Sequence, residues 1–197
     1  MKPSDTTKPH LIIMVGIPGS GKSYFAQHFA NTFNAPIIST GQLRKIIFAN
    51  SRQNIPDDLT LSNVAKLVLN EMFKTKRTII YEGQTDQRAE RLELSKMAHQ
   101  ADYEPLFIWV QTETTTAKKR ATKSHSQKTA LSVDEFNQII KNFSAPHHNE
   151  KAIVISGKHT YASQLKIVLK NLIQPQNNIA ERKILDRSPR SRDSLIR

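Results

Sequence analysis

Gly16-Ile17-Pro18-Gly19-Ser20-Gly21-Lys22-Ser23 follows the spacing G-x-x-x-x-G-K-[ST], the pattern of a phosphate-binding loop. Before it runs Leu11-Ile12-Ile13-Met14-Val15, a short unbroken apolar stretch of the kind that makes a parallel strand buried on both faces. After it, Tyr24 to Phe33 carries apolar residues at helical spacing. Strand, glycine loop and helix form the geometry that polyphosphate binding needs. The glycines let consecutive N–H groups turn inward with no side chain in the way. The helix N-terminus adds its own unsatisfied N–H groups and the positive end of its dipole. Gly16 to Tyr24 is therefore the expected ATP-binding segment. Lys22 is expected on the β- and γ-phosphates, and the hydroxyl of Ser23 on Mg²⁺. A Gly/Ser turn could match such a pattern by accident, but the flanking strand and helix argue against it.

Working outward, the chain has 197 residues, enough for one α/β domain with some tail. Hydrophobic residues make up 38%, which fills one core. There is no cysteine, which excludes disulfides, cysteine-ligated zinc and thiol catalysis. No apolar run approaches the ~20 residues of a membrane span. Residues 1–9 are polar, lack the apolar segment of a signal peptide and read as a disordered leader, so the cytoplasm is the expected location. The formal charge of +12 and the pI near 10.0 favour anionic partners, nucleic acid among them. That charge is concentrated in two places. Between Thr114 and Val133 stand Lys118, Lys119, Arg120, Lys123 and Lys128 with no acidic residue. From Arg182 to Arg197 there are six arginines and lysines against two aspartates. The stretch 174–197 reads as a disordered basic tail, a candidate for nucleic-acid attachment.

Between leader and tail, strands are expected at residues 11–15, 35–38, 78–82, 106–110 and 152–155. Helices are expected at 24–33, 42–50, 60–74, 87–101, within 114–128, 133–143 and 161–173. The alternation implies an α/β fold: a three-layer sandwich with a five-stranded parallel sheet flanked by helices. Ligands then sit beyond the carboxyl ends of the strands, where the glycine loop also lies.

From about His10 to Ile173 the chain resembles the small P-loop kinases grouped with polynucleotide 5′-hydroxyl kinases and zeta toxins. The resemblance rests on the glycine loop, an acceptor-side segment ending in Arg44, and a third strand ending in Glu82. Arg88 and Arg91 follow on the next helix, then a basic lid segment with Arg120, then Pro146-His147-His148-Asn149-Glu150 before the fifth strand. It implies a lid at about 114–128 and ATP with Mg²⁺ as cofactors. Glu82 would hold the metal through water, Arg120 would close on the γ-phosphate, and Arg44 would meet the acceptor. His147 and His148 have no third ligand in pattern and read as a surface pair.

One departure shapes the functional reading. Hydroxyl-directed members of the group carry an aspartate three residues before the position of Arg44, and here that residue is Gly41. A hydroxyl benefits from a positioned base, whereas a phosphate oxygen needs none. Ile38-Ser39-Thr40-Gly41 and Glu82-Gly83 also resemble segments of adenylate kinases. Asp86, Asp57 and Asp58 are the other carboxylates that could serve as base. Three readings follow: a kinase with a hydroxyl acceptor, a nucleoside-monophosphate-type kinase, and a non-catalytic ATP-binding module.

Overall fold

The computed structural model describes residues 8–47, 58–123 and 130–173. Five strands, β1 (His10–Val15), β2 (Ile37–Ser39), β3 (Ile79–Glu82), β4 (Glu104–Gln111) and β5 (Ile153–Ser156), form one parallel sheet in the order β2-β3-β1-β4-β5. The central strand explains its own composition. Leu11, Ile13 and Val15 point to one face, against Leu69 and Phe73 of α3 (Asp58–Phe73) and Leu94 and Ala98 of α4 (Arg88–Gln100). Ile12 and Met14 point to the other, against Phe25 and Phe29 of α1 (Lys22–Phe33) and Val168 of α7 (Tyr161–Ile173). Both faces are covered, so no polar residue interrupts the run. The result is the three-layer α/β sandwich of P-loop NTPases, as expected.

Residue choice fixes the helix ends. Gly21 and Asn34 bracket α1 in the left-handed conformation, where the N–H of Asn34 donates to the carbonyl of Ala30. Gln87 and Glu90 form a capping box at the start of α4, as do Ser132 and Glu135 at α6 (Val133–Asn142).

Some boundaries differ from expectation by one or two residues. Helix α2 (Thr40–Ile47) begins two residues before Gln42, α3 begins at Asp58, and β5 is displaced by one. Helix α5 (Thr114–Thr122) occupies the first part of the expected lid, and residues 124–129 lie outside the described residues. So do residues 1–7 of the expected leader, the loop around Asp57 and the whole of 174–197, including the expected basic tail. Pro9 already belongs to the fold, since its carbonyl accepts from the N–H of Glu104. No helix among the described residues is long and apolar enough to cross a membrane.

The strand order places the site. From β1 the chain turns through α1 towards β2, and from β4 it turns the opposite way to β5. Their carboxyl ends therefore flank a crevice where connections diverge, the place where open α/β sheets bind ligands.

Candidate functional site

The loop from Gly16 to Gly21 leaves β1 directly into that crevice. Gly16, Gly19 and Gly21 have φ of 144°, 76° and 108°, a region that L side chains rarely enter. Space enforces the same choice. A Cβ on Gly16 would stand 2.6 Å from the carbonyl oxygen of Val110, and one on Gly19 2.2 Å from that of Ala117 in α5. The first turn of α1 carries no acidic residue to compete for its N–H groups. Lys22 folds back on its own loop, its Nζ donating to the carbonyls of Gly16 (2.5 Å) and Ile17 (3.1 Å). Burial pushes its pKa below the ordinary lysine value, while the carboxylates of Asp86 and Glu82 pull it upward. A bound polyphosphate fits this cradle: it would replace two neutral carbonyls with anionic oxygens around one enclosed ammonium.

The hydroxyl of Ser23 donates to Oε1 of Glu82 at the end of β3. A hydroxyl and a carboxylate meeting beside a phosphate cradle are hard oxygen donors of the kind Mg²⁺ takes. The pairing of Ser39 with Glu82 brings the start of α2 alongside. There Gly41 offers no carboxylate, and Arg44 lies half-buried on α2.

On the other side of the loop, two connections grip it from behind. Thr112 Oγ1, after β4, donates to the carbonyl of Ser20 (2.8 Å), and the N–H of Gly157, after β5, donates to the carbonyl of Gln111 (2.8 Å). A Cβ on Gly157 would stand 1.8 Å from the oxygen of Ser20, so nothing larger than glycine fits there. Arg120 projects from α5 onto this turn and donates to the carbonyl of Gly157 (3.1 Å). Lys158 pairs with Glu113 across the two connections (2.9 Å). Beside them a cavity of about 620 Å³, bordered by Ile17, Trp109, Thr112, Phe143 and Ser156, opens between the sheet and α6.

The structure thus brings Lys22, Ser23, Glu82 and Arg120 around one loop, with Arg44 on the neighbouring α2. It gives Arg91 a different place. Its side chain is fully buried, its Nε and Nη2 donate to Glu150 (2.6 and 3.1 Å), and its Nη1 donates to the carbonyls of Thr85 and Ser144 (both 2.9 Å). It ties the connection after β3 to the one before β5. Arg88 is exposed. His147 caps the short turn His148–Glu150 and its ring lies 3.9 Å from that of His148. Thr85, Thr112 and Gly157 were not legible as site residues. Thr85 is fully buried and donates to the carbonyl of Met14 (2.7 Å), fixing the connection after β3 to the strand that feeds the loop.

A family model described as an AAA domain matches residues 11–146. Among solved structures, a gluconokinase from Sinorhizobium meliloti 1021 is similar, with a TM-score of 0.63 at 16% identity over 89% of this chain and 98% of that one. A sugar kinase from Janibacter sp. HTCC2649 has a TM-score of 0.62 at 14% identity, covering 84% and 95% of the two chains. Kti12 from Chaetomium thermophilum, solved in complex with ADP-AlF3, has a TM-score of 0.62 at 16% identity, covering 81% and 96%. At these identities the solved structures speak to the fold, while the family model covers most of the domain from β1 to the segment before β5. Glycine cradle, strand order and family match agree, and the chain belongs to this AAA-domain family as a small P-loop kinase-like protein.

Proposed function

We propose that the chain is a Mg²⁺-dependent phosphotransferase that moves the γ-phosphate of ATP to a hydroxyl acceptor. The observation that carries this reading is the contact of Ser23 with Glu82 beside the enclosed ammonium of Lys22. It supplies a metal-binding oxygen pair and a phosphate-binding cation at one end of the glycine cradle. In this reading the loop amides and Lys22 bind and orient the triphosphate, and Ser23 and Glu82 hold the metal, which neutralises developing charge when bound. The segment 114–128 is the lid, with Arg120 leaving the carbonyl of Gly157 to stabilise the transferring phosphoryl group. Arg44 orients the acceptor. The acceptor oxygen forms a bond to the γ-phosphorus as the bond to the β,γ-bridging oxygen breaks, and ADP leaves with that electron pair.

One observation favours a second reading. Gly41, at the start of α2, brings no base to the acceptor side, which suits an acceptor that is already anionic, as in a nucleoside-monophosphate-type kinase.

Transfer of labelled γ-phosphate from Mg-ATP tests both. Separate pools of 5′-hydroxyl oligonucleotides, nucleosides, polyols and nucleoside monophosphates serve as acceptors, with Lys22→Ala as control. Label in a hydroxyl pool, lost in the control, is the expected result. Label only in the monophosphates selects the second reading. No label despite tight ATP binding makes the chain a binding module.

A further inference from the structure

Resting on the reading of the chain as a kinase for hydroxyl acceptors, we infer that the cavity between β5 and α6 seats the body of the acceptor. The acceptor it fits is an uncharged alcohol with a flat apolar face, a nucleoside. The sheet itself leaves this space open. Ile153 and Ile155 of β5 join the core on the side of α1 and α7, so Val154 between them points to the opposite face. Strands of a parallel sheet are ordinarily covered on both faces. Val154 is instead 45% exposed, and its register neighbour Trp109 is only half-buried. Ile140 of α6 and Phe143 at its end stand across the gap, which encloses about 620 Å³. Small-molecule sites measure about 300–1,000 Å³.

The walls define the ligand. Trp109 and Phe143 contribute rings, and Ile140 and Val154 contribute aliphatic groups. A flat aromatic body gains from stacking there beyond the area it buries. Also lining the cavity are the carboxamide of Gln111 and the hydroxyls of Thr112, Thr114 and Ser156, groups that can hydrogen-bond the edge of a base and the hydroxyls of a sugar. The charged residues of the lining, Glu113 and Lys158, are paired with each other (2.9 Å). A carboxylate or phosphate therefore meets no net positive charge on these walls, and a polyol would leave their apolar half without contacts. Position ties the cavity to the chemistry. Ile17, the second residue of the glycine loop, forms part of the wall, and its carbonyl accepts from Nζ of Lys22 (3.1 Å). Thr112 grips the same loop through the carbonyl of Ser20 (2.8 Å). A molecule seated here lies against the segment assigned to the phosphates. β2 and β5 are opposite edges of the sheet, so Arg44 on α2 meets this acceptor from the other side of the loop.

Trp109 is the chain's one tryptophan, so its fluorescence reports on the cavity. Adenosine, cytidine, thymidine, ribitol and a 5′-hydroxyl oligonucleotide are titrated into the full chain with Mg-ADP at saturation, which keeps the nucleotide cradle filled. The same probes, and nucleoside monophosphates, enter the labelled-phosphate assay with wild type and Val154→Arg. That variant places a long charged side chain in the cavity from an exposed position, where substitutions cost the fold little. The expected result is that a nucleoside quenches Trp109 and accepts label. Val154→Arg then raises its KM by about 10-fold or more, with kcat and ADP affinity within about threefold. A labelled nucleoside whose KM ignores Val154→Arg overturns the placement. So does a nucleoside that quenches Trp109 beside bound ADP yet never accepts label, and so does a parallel loss of ADP affinity. Should Val154→Arg not fold, Ile140→Ala must raise the KM by about fivefold or more, and an unchanged KM overturns the assignment. Label only on ribitol or only on the oligonucleotide overturns this inference and leaves a kinase for hydroxyl acceptors. Label only on nucleoside monophosphates overturns it together with the hydroxyl reading and leaves a kinase. No label on any acceptor sinks both.

Discussion

Ser23, on the first turn of α1, donates its hydroxyl to Glu82 at the tip of β3, 59 positions further along the chain. Glu82 ends β3, Ser23 follows the loop that leaves β1, and the two meet because β3 pairs directly with β1. If this pair is the metal site, Glu82→Gln keeps the shape and removes the charge. Phosphate transfer with Mg-ATP should then fall by about 10–100-fold, with ADP binding in chelator changed by less than about threefold. Ser23→Ala should behave alike, and the double variant should cost much less than the product of the two. Isothermal titration with and without Mg²⁺ reads the difference. Equal losses in chelator would assign the pair to the fold instead.

The pair formed by Arg91 and Glu150 makes an opposite prediction, for stability. Arg91 is fully buried and the Glu150 side chain nearly so. Burial pulls the Glu150 carboxyl upward. The Arg91 hydrogen bonds, the His147 N–H and the charges of Arg91 and Arg88 outweigh that pull and hold it below the usual range. A carboxyl depressed in the folded state stabilises fully above its unfolded value, about 4.3, and loses that contribution as pH falls through its lower folded value. Glu150→Gln strands a buried guanidinium and should cost about 3–5 kcal/mol at pH 7. The gap from wild type should narrow steadily below pH 4 in urea unfolding. A gap independent of pH would show that the charge is not what matters.

These two pairs mark where sequence reading ends. The glycine loop and β1 are legible because their signals are local: eight consecutive residues carry the cradle, and an apolar run covered on both faces names its strand. The alternation of strands and helices likewise yields the sheet. Arg91 is different. On an amphipathic helix an arginine is ordinarily solvated, and nothing near it in sequence announces a partner 59 residues away. Thr85 and Met14 are 71 apart, and Thr112 and Ser20 are 92 apart. Single polar residues acquire such roles only from the tertiary arrangement, so they carry no pattern to find.

Gly157 illustrates the same limit and can be tested directly. Its φ is unremarkable, so the constraint is space: an added methyl would stand 1.8 Å from the Ser20 carbonyl and 2.3 Å from Thr112 Oγ1. Backbone must move, and the backbone that moves is the phosphate loop. Gly157→Ala should weaken ATP and ADP binding by about 10-fold or more, while overpacking costs about 1–3 kcal/mol of stability. Nucleotide titration alongside thermal melting separates the two effects. Unchanged affinity in a destabilised variant would place the strain in the turn after β5 and away from the loop.

Arg120 poses the sharpest question about catalysis, because its observed partner and its proposed one differ. Its Nη1 donates to the carbonyl of Gly157 behind the loop, and its helix touches the loop at Gly19 through Ala117. Among the described residues this neutral carbonyl is its hydrogen-bond acceptor, and on an exposed side chain such a bond holds a guanidinium weakly, by about 1.5–3 kcal/mol at most. Anionic phosphate oxygens are stronger, charge-assisted partners and should draw it away. If it then stabilises the transferring group, its contribution appears in the transition state and hardly in the ground state. Arg120→Ala should lower kcat by about 10³-fold with ADP affinity within about threefold, and Arg120→Lys should recover little, since an ammonium cannot fork across two oxygens. Parallel losses of ADP affinity and kcat would mean that Arg120 keeps its place at Gly157 and holds the nucleotide there.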